Sequence, residues 1–214
     1  MQFTFTQILD IIGTLAFAIS GIRLSSAKHF DLFGAYIVGL VTAIGGGTAR
    51  DIMLSNDIFW MHDPIYLILT GVALLWVMIF GKQLIHQNST WFIFDTIGLA
   101  MFTVTGIEKT LGATYVDAPY PMWAAIIMGT LTGAAGGVFR DVLMNQVPLI
   151  FRGEIYALAC IAGGAAYWAL NALGYSNIVC GLTCGAIVIA IRLLAVKYKL
   201  QLPVLKGEEQ EREN

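Results

Sequence analysis

Two stretches decide the fold: GGGTARD, Gly45 to Asp51, and AGGVFRD, Ala135 to Asp141. Each is embedded in a run of apolar residues, and the second begins ninety positions after the first. Glycine in a helix interior is about 0.8–1 kcal/mol worse than alanine. An ionised side chain deep in a bilayer costs at least ~2.5–3.5 kcal/mol on insertion scales. Two such departures, at matching places in two halves, point to a polar pathway rather than a lipid-facing surface.

The rest of the composition sets the class. Of 214 residues, 57% are hydrophobic and 12% charged. Mean hydropathy is +0.75. Ordinary soluble domains carry about 25% charged residues, so this chain lacks the polar surface to stay dispersed in water. It reads as an all-α polytopic membrane protein whose first partner is the lipid bilayer. The net charge of −2 gives no reason to expect nucleic acid. Cys160, Cys180 and Cys184 fall inside apolar segments without histidine at ligand spacing, and read as buried small residues. His29, His62 and His86 lie in connecting segments. No zinc, P-loop or nucleophile motif is present, so neither an enzyme nor a cofactor is expected. The N-terminus MQFTFTQILD lacks the basic start of a signal peptide.

A spanning helix needs roughly 20 mainly apolar residues. Seven stretches qualify: about 5–23, 33–54, 64–81, 91–108, 122–144, 155–173 and 177–196. They form a single transmembrane domain over 1–200, with a polar cytoplasmic tail over 201–214. Within that tail, Glu208 to Asn214 reads as a solvated acidic stretch. Trp60, Trp91 and Trp123 stand near helix ends, as an interfacial belt requires. Trp76 and Trp168 stand inside spans and read as packing residues. One side of the membrane collects Arg23, Lys28, Lys82, Arg152, Arg192, Lys197, Lys199 and Lys206, while the other holds little beyond Lys109. The basic side is the cytoplasmic one by the positive-inside rule. That puts the N-terminus outside and the C-terminus inside.

The chain also repeats itself. Asp10-Ile11-Ile12-Gly13 matches Asp95-Thr96-Ile97-Gly98, Phe17 matches Phe102, and Gly21-Ile22 matches Gly106-Ile107. Ala35, Ile37, Gly39 and Thr42 match Ala125, Ile127, Gly129 and Thr132. Ile65-Tyr66 matches Ile155-Tyr156. Repeat one spans about 5–81 and repeat two about 91–173; the seventh helix, about 177–196, stands outside. Three helices per repeat is an odd number, so the second triplet enters from the opposite face, giving inverted-topology repeats.

Several expectations follow for the signatures. Gly45, Gly46, Gly47 and Thr48, with Ala135, Gly136 and Gly137, would kink or unwind helices two and five near the midplane. Unwound carbonyls can replace part of a cation's hydration shell. Arg50-Asp51 would lie toward the outer face and Arg140-Asp141 toward the inner face. Sequence neighbours do not face each other on a regular helix. Each arginine is therefore expected to pair across helices, Arg50 with Asp10 and Arg140 with Asp95. Thr42, Thr48, Thr130 and Thr132 either line a pore or bond back to their own helix.

Seven helices, two inverted triplets and GGGxxRD on helices two and five resemble the prokaryotic trimeric intracellular cation (TRIC) channels, over about residues 5–200. The resemblance implies a homotrimer with one pore in each protomer, passing monovalent cations, chiefly potassium. It carries the kink role to the glycines named above and the charged-pair role to Arg50-Asp51 and Arg140-Asp141. Ala135 departs from the pattern, and its methyl group would stiffen or narrow the second kink. By the same analogy the chain belongs in a prokaryotic plasma membrane. The competing reading is a secondary transporter for a small solute such as glycine, because inverted repeats with broken helices recur in transporters.

Overall fold

A computed structural model describes residues 4–85, 90–115, 118–152 and 154–203. His86 and the acidic stretch from Glu208 lie outside the described residues. Seven helices account for most of the chain: α1 (Phe5–Ser26), α2 (Leu32–Met53), α3 (Ile65–Ile85), α4 (Thr90–Leu111), α5 (Met122–Leu143), α6 (Ala157–Ala172) and α7 (Asn177–Lys197). The fold is that of an all-α, multi-pass membrane protein. α1, α2, α4, α5 and α7 are long and apolar enough to cross a bilayer. α6 begins two residues later than its apolar pattern, because Ile155 and Tyr156 stay outside it. The long connection before α5 holds a two-residue antiparallel pair, β1 (Thr114–Tyr115) with β2 (Ala118–Pro119).

Local chemistry sets the helix ends. Thr4 and Gln7 form a capping box at the start of α1, satisfying two of the amide donors that a helix start leaves over. Asp31 caps α2 through the Gly34 amide at 2.7 Å. α2 and α5 stop alike: Ser55 (φ 55°) and Asn145 (φ 49°) turn left-handed, and Asn56 and Gln146 donate back to the Asp51 and Asp141 carbonyls, both at 2.9 Å.

Of these five helices, α1 and α4 are the most enclosed. α4 packs against both α1 and α5, α2 packs against α1 and α5, and α7 lies on α6 and α4. Residues matched in sequence make matched contacts. The Phe17 and Phe102 rings meet edge to face at 5.3 Å; Gly13 lies against Phe102 and Gly98 against Phe17. Gly39 receives Ile22, and Gly129 receives Ile107. Gly21 lies on Thr42 and Gly106 on Thr132.

Candidate functional site

α2 and α5 cross at their glycines. A methyl group added to Gly46 would strike the Thr132 carbonyl oxygen, and one added to Gly136 the Thr42 carbonyl oxygen. The two backbones come this close because neither residue has a Cβ. Both helices remain α-helical through the signatures. The expected unwound turn is absent from both: the glycines serve helix approach rather than a break. Thr42, Thr48, Thr130 and Thr132 each bond back to the carbonyl four residues earlier, at 2.6–2.9 Å.

Gly45 is buried under the Phe139 ring and Gly47 under Phe59. Gly137 faces the Tyr156 hydroxyl. Ala135 sits elsewhere, half-buried in an apolar groove with Ile127, Val138 and Ile150. Its methyl does not narrow the crossing. The alanine is intelligible in its pairing: position 139 carries phenylalanine, which needs a glycine at 45, whereas the matched position 49 carries only alanine.

Two charge centres flank the crossing. In the first, Arg50 bonds its own neighbour: Nε donates to Asp51 Oδ1 at 2.8 Å, and Nη2 lies 2.7 Å from the same oxygen. Asp51 Oδ2 accepts the Phe59 amide at 3.1 Å. The expected Asp10–Arg50 pair does not form. Asp10 binds Lys109 of α4 instead, at 2.6 Å. Arg50 and Lys109 both lie over the Phe59 ring, at 5.7 and 5.2 Å. A cavity of about 300 Å³ opens here, lined by Arg50, Asp51, Asn56, Asp57, Phe59 and Lys109 among others.

The second centre is closed. Arg140 and Asp95 both have no solvent exposure. Nη1 of Arg140 donates to Asp95 Oδ1 at 2.5 Å and to Ser20 Oγ at 2.9 Å, so the expected Asp95–Arg140 pair forms. Nε binds Asp141 Oδ1 at 2.9 Å, and Asp141 Oδ2 accepts the Leu149 amide at 3.0 Å. In both signatures the Arg-Asp neighbours do pair with each other, against expectation. The helix-face rule describes Cβ directions, and an arginine is long enough to bend back to the carboxylate beside it. Each aspartate then holds the 3₁₀ turn that follows its helix.

Sequence reasoning missed Lys109, Phe59, Ser20, Trp91, Tyr156, Glu154 and Arg192. Trp91 lies under Arg140 at 5.5 Å. Arg192 is fully buried rather than on a basic surface, stacked 4.8 Å from both the Phe92 and Tyr156 rings. Its Nη1 binds Glu154 at 3.2 Å and its Nη2 lies 4.0 Å from Asp95 Oδ2. Signals existed for part of this set: Tyr156 matches Tyr66, Arg192 is a charge inside the seventh apolar stretch, and Lys109 directly follows the fourth. Trp168, expected inside the packing, is 55% exposed. The three cysteines are buried and unpaired by disulfides.

A family model described as "Glycine transporter" matches residues 7–82 and 92–172. A "UPF0126 membrane protein" of Vibrio cholerae is 38% identical over 200 residues, covering 92% of this chain and 81% of that protein. The "UPF0126 inner membrane protein YadS" of Escherichia coli K12 is 36% identical over 208 residues, covering 94% and 96%. The solved TRIC trimeric intracellular cation channel orthologue from Rhodobacter sphaeroides superimposes with a TM-score of 0.84 at 31% identity, over 91% of this chain and 98% of that one. The chain belongs to this family. Its solved TRIC neighbours are ion channels and not enzymes. The two blocks that the family model matches, 7–82 and 92–172, contain both signatures and stop short of α7.

Proposed function

We propose that this TRIC family member is a cation channel, chiefly for potassium, with a pore inside each protomer of a homotrimer in a prokaryotic plasma membrane. Two inverted triplets, α1–α3 and α4–α6, build the pore around α2 and α5. The observation that carries this reading is the pair of charge centres flanking one glycine crossing. Ionisable residues inside a membrane are costly even when paired and mark functional sites, and here they recur at matched positions. The relatives named as TRIC cation channels support the same reading. Conduction then requires α2 and α5 to part at Gly46 and Gly136, joining the cavity at Asp51 to the centre at Asp95. Asp51, Asp141 and Asp95 offer carboxylate oxygens to a passing cation, and the arginines hold them in place.

The test is single-channel recording of purified protein in planar bilayers under a potassium chloride gradient. Discrete steps that reverse near the potassium equilibrium potential, unaffected by glycine, support the channel. The family model's description gives the competing reading its footing. Silence at all voltages, together with saturable glycine uptake into liposomes, would make the protein a transporter. Native mass spectrometry reads the trimer in the same preparation; a monomer or dimer would remove that part of the proposal.

A further inference from the structure

The seventh helix lies outside both triplets, yet it reaches the second charge centre. There it mirrors α4 at the first. α4 follows the first triplet and delivers Lys109 to Asp10. α7 follows the second triplet and brings Arg192 to within 4.0 Å of Asp95. Asp10 and Asp95 are matched positions, and each cation rests on aromatic rings. Each centre thus holds two aspartates, the arginine of its own signature and one cation brought by the following helix.

Arg192 is held in an unfinished way. Nη1 is bound to Glu154 and to the Ile155 carbonyl at 3.3 Å. Nε and Nη2 donate to no acceptor among the described residues, and Asp95 Oδ2 and the Tyr156 hydroxyl beside them also have no hydrogen-bond partner. Unmatched polar groups so placed are sites where water or an ion enters. A cavity of about 210 Å³ opens beside this cluster, lined by Glu154, Arg192, Lys199 and Gln201 among others. Gln201 pairs with Glu154 at its rim. Arg192 therefore both lines an opening on the C-terminal face and lies beside Asp95, a carboxylate with no solvent exposure.

We propose that Arg192 is the charge that controls cation passage at the inner mouth, with Glu154 as the residue that holds it away from Asp95. The proposal rests on the channel reading. A fixed positive charge at a narrow mouth depletes cations there. Removing it raises the current carried by cations entering from the C-terminal face. Freeing it from Glu154 lets it settle on Asp95 and lowers that current.

The experiment records the wild type, Arg192→Gln, Arg192→Lys and Glu154→Gln in bilayers at low and at molar potassium chloride. Arg192→Gln is expected to raise conductance from the C-terminal side by about twofold or more at low salt. In molar salt, where the Debye length is about 3 Å, the difference collapses. Arg192→Lys returns conductance toward the wild type, and Glu154→Gln moves it the opposite way. A folded Arg192→Gln with unchanged conductance in both salts would overturn the proposal. So would Arg192→Gln and Glu154→Gln shifting together, which marks a merely structural role. If Arg192→Gln does not fold, Glu154→Gln decides: lowered conductance from that side supports the assignment and no change refutes it. A silent wild type sinks the channel reading and this assignment with it, whereas an active wild type with unaltered variants sinks the assignment alone.

Discussion

Asp95 has no contact with solvent, and two arginines stand beside it. Asp10, its match in the first half, has a single lysine partner whose side chain is 29% exposed. The two aspartates came from the same sequence pattern, but their energetics differ. Removing one partner from a buried pair strands the other charge, at about 3–5 kcal/mol. A lysine that can turn to water strands nothing, and loss of such a pair costs about 1 kcal/mol or less. Asp95→Ala should therefore lose about 3–5 kcal/mol of stability, and Asp10→Ala no more than about 1 kcal/mol. Thermal unfolding in detergent checks both; equal losses would show that the centres are equally closed. Asp10 was legible as an intramembrane acid, but its partner was not. The lysine and the arginine both lay within reach of that end of α1, and only the packing of α4 chose between them.

At the scale of the helices, the seven apolar stretches fell within a few residues of the seven helices, because span length and hydropathy are local properties. What the glycines do was not local. A glycine run permits either an unwound turn or a close crossing, and the choice depends on which backbone lies opposite. Here the Thr42 and Thr132 carbonyls lie opposite Gly136 and Gly46, so the helices cross intact. Gly46→Ala and Gly136→Ala are each expected to destabilise the fold by about 1–3 kcal/mol or more, since a backbone carbonyl cannot yield as a side chain does. Gly45→Ala presses only on the Phe139 ring, which is 41% exposed and free to swing outward, and is expected to be far milder. Gly71 has nothing within 4 Å of an added methyl, so Gly71→Ala in α3 should stabilise by up to about 1 kcal/mol through helix propensity. The same unfolding series orders the four variants. A Gly46→Ala as mild as Gly45→Ala would mean that the crossing is looser than the structure has it.

Across the whole molecule, the contacts sort the connections onto two faces. Lys28, in the connection after α1, donates to the Met144 carbonyl at the end of α5, and Glu154 pairs with Gln201 after α7. Those segments share a face. On the opposite one, Thr6 near the start of α1, Lys109 near the end of α4 and Asn177 at the start of α7 border one cavity. Arg192 drops out of the surface tally because it is buried, yet the asymmetry survives. Arg23, Lys28, Arg152, Lys197 and Lys199 belong to the first face, against Lys109 on the second, where it is committed to Asp10. Positive charge in short connections fixes orientation during insertion, so the first face, with the C-terminus, is expected to be cytoplasmic. The native cysteines are buried, which leaves room for single surface cysteines as reporters. Tyr175→Cys, exposed between α6 and α7, should react with a membrane-impermeant maleimide on intact cells. Lys199→Cys, exposed beyond α7, should react only after the membrane is opened. The reverse pattern would put the centre at Asp95 toward the outside, and the current that Arg192 controls would then be the one entering from the external solution.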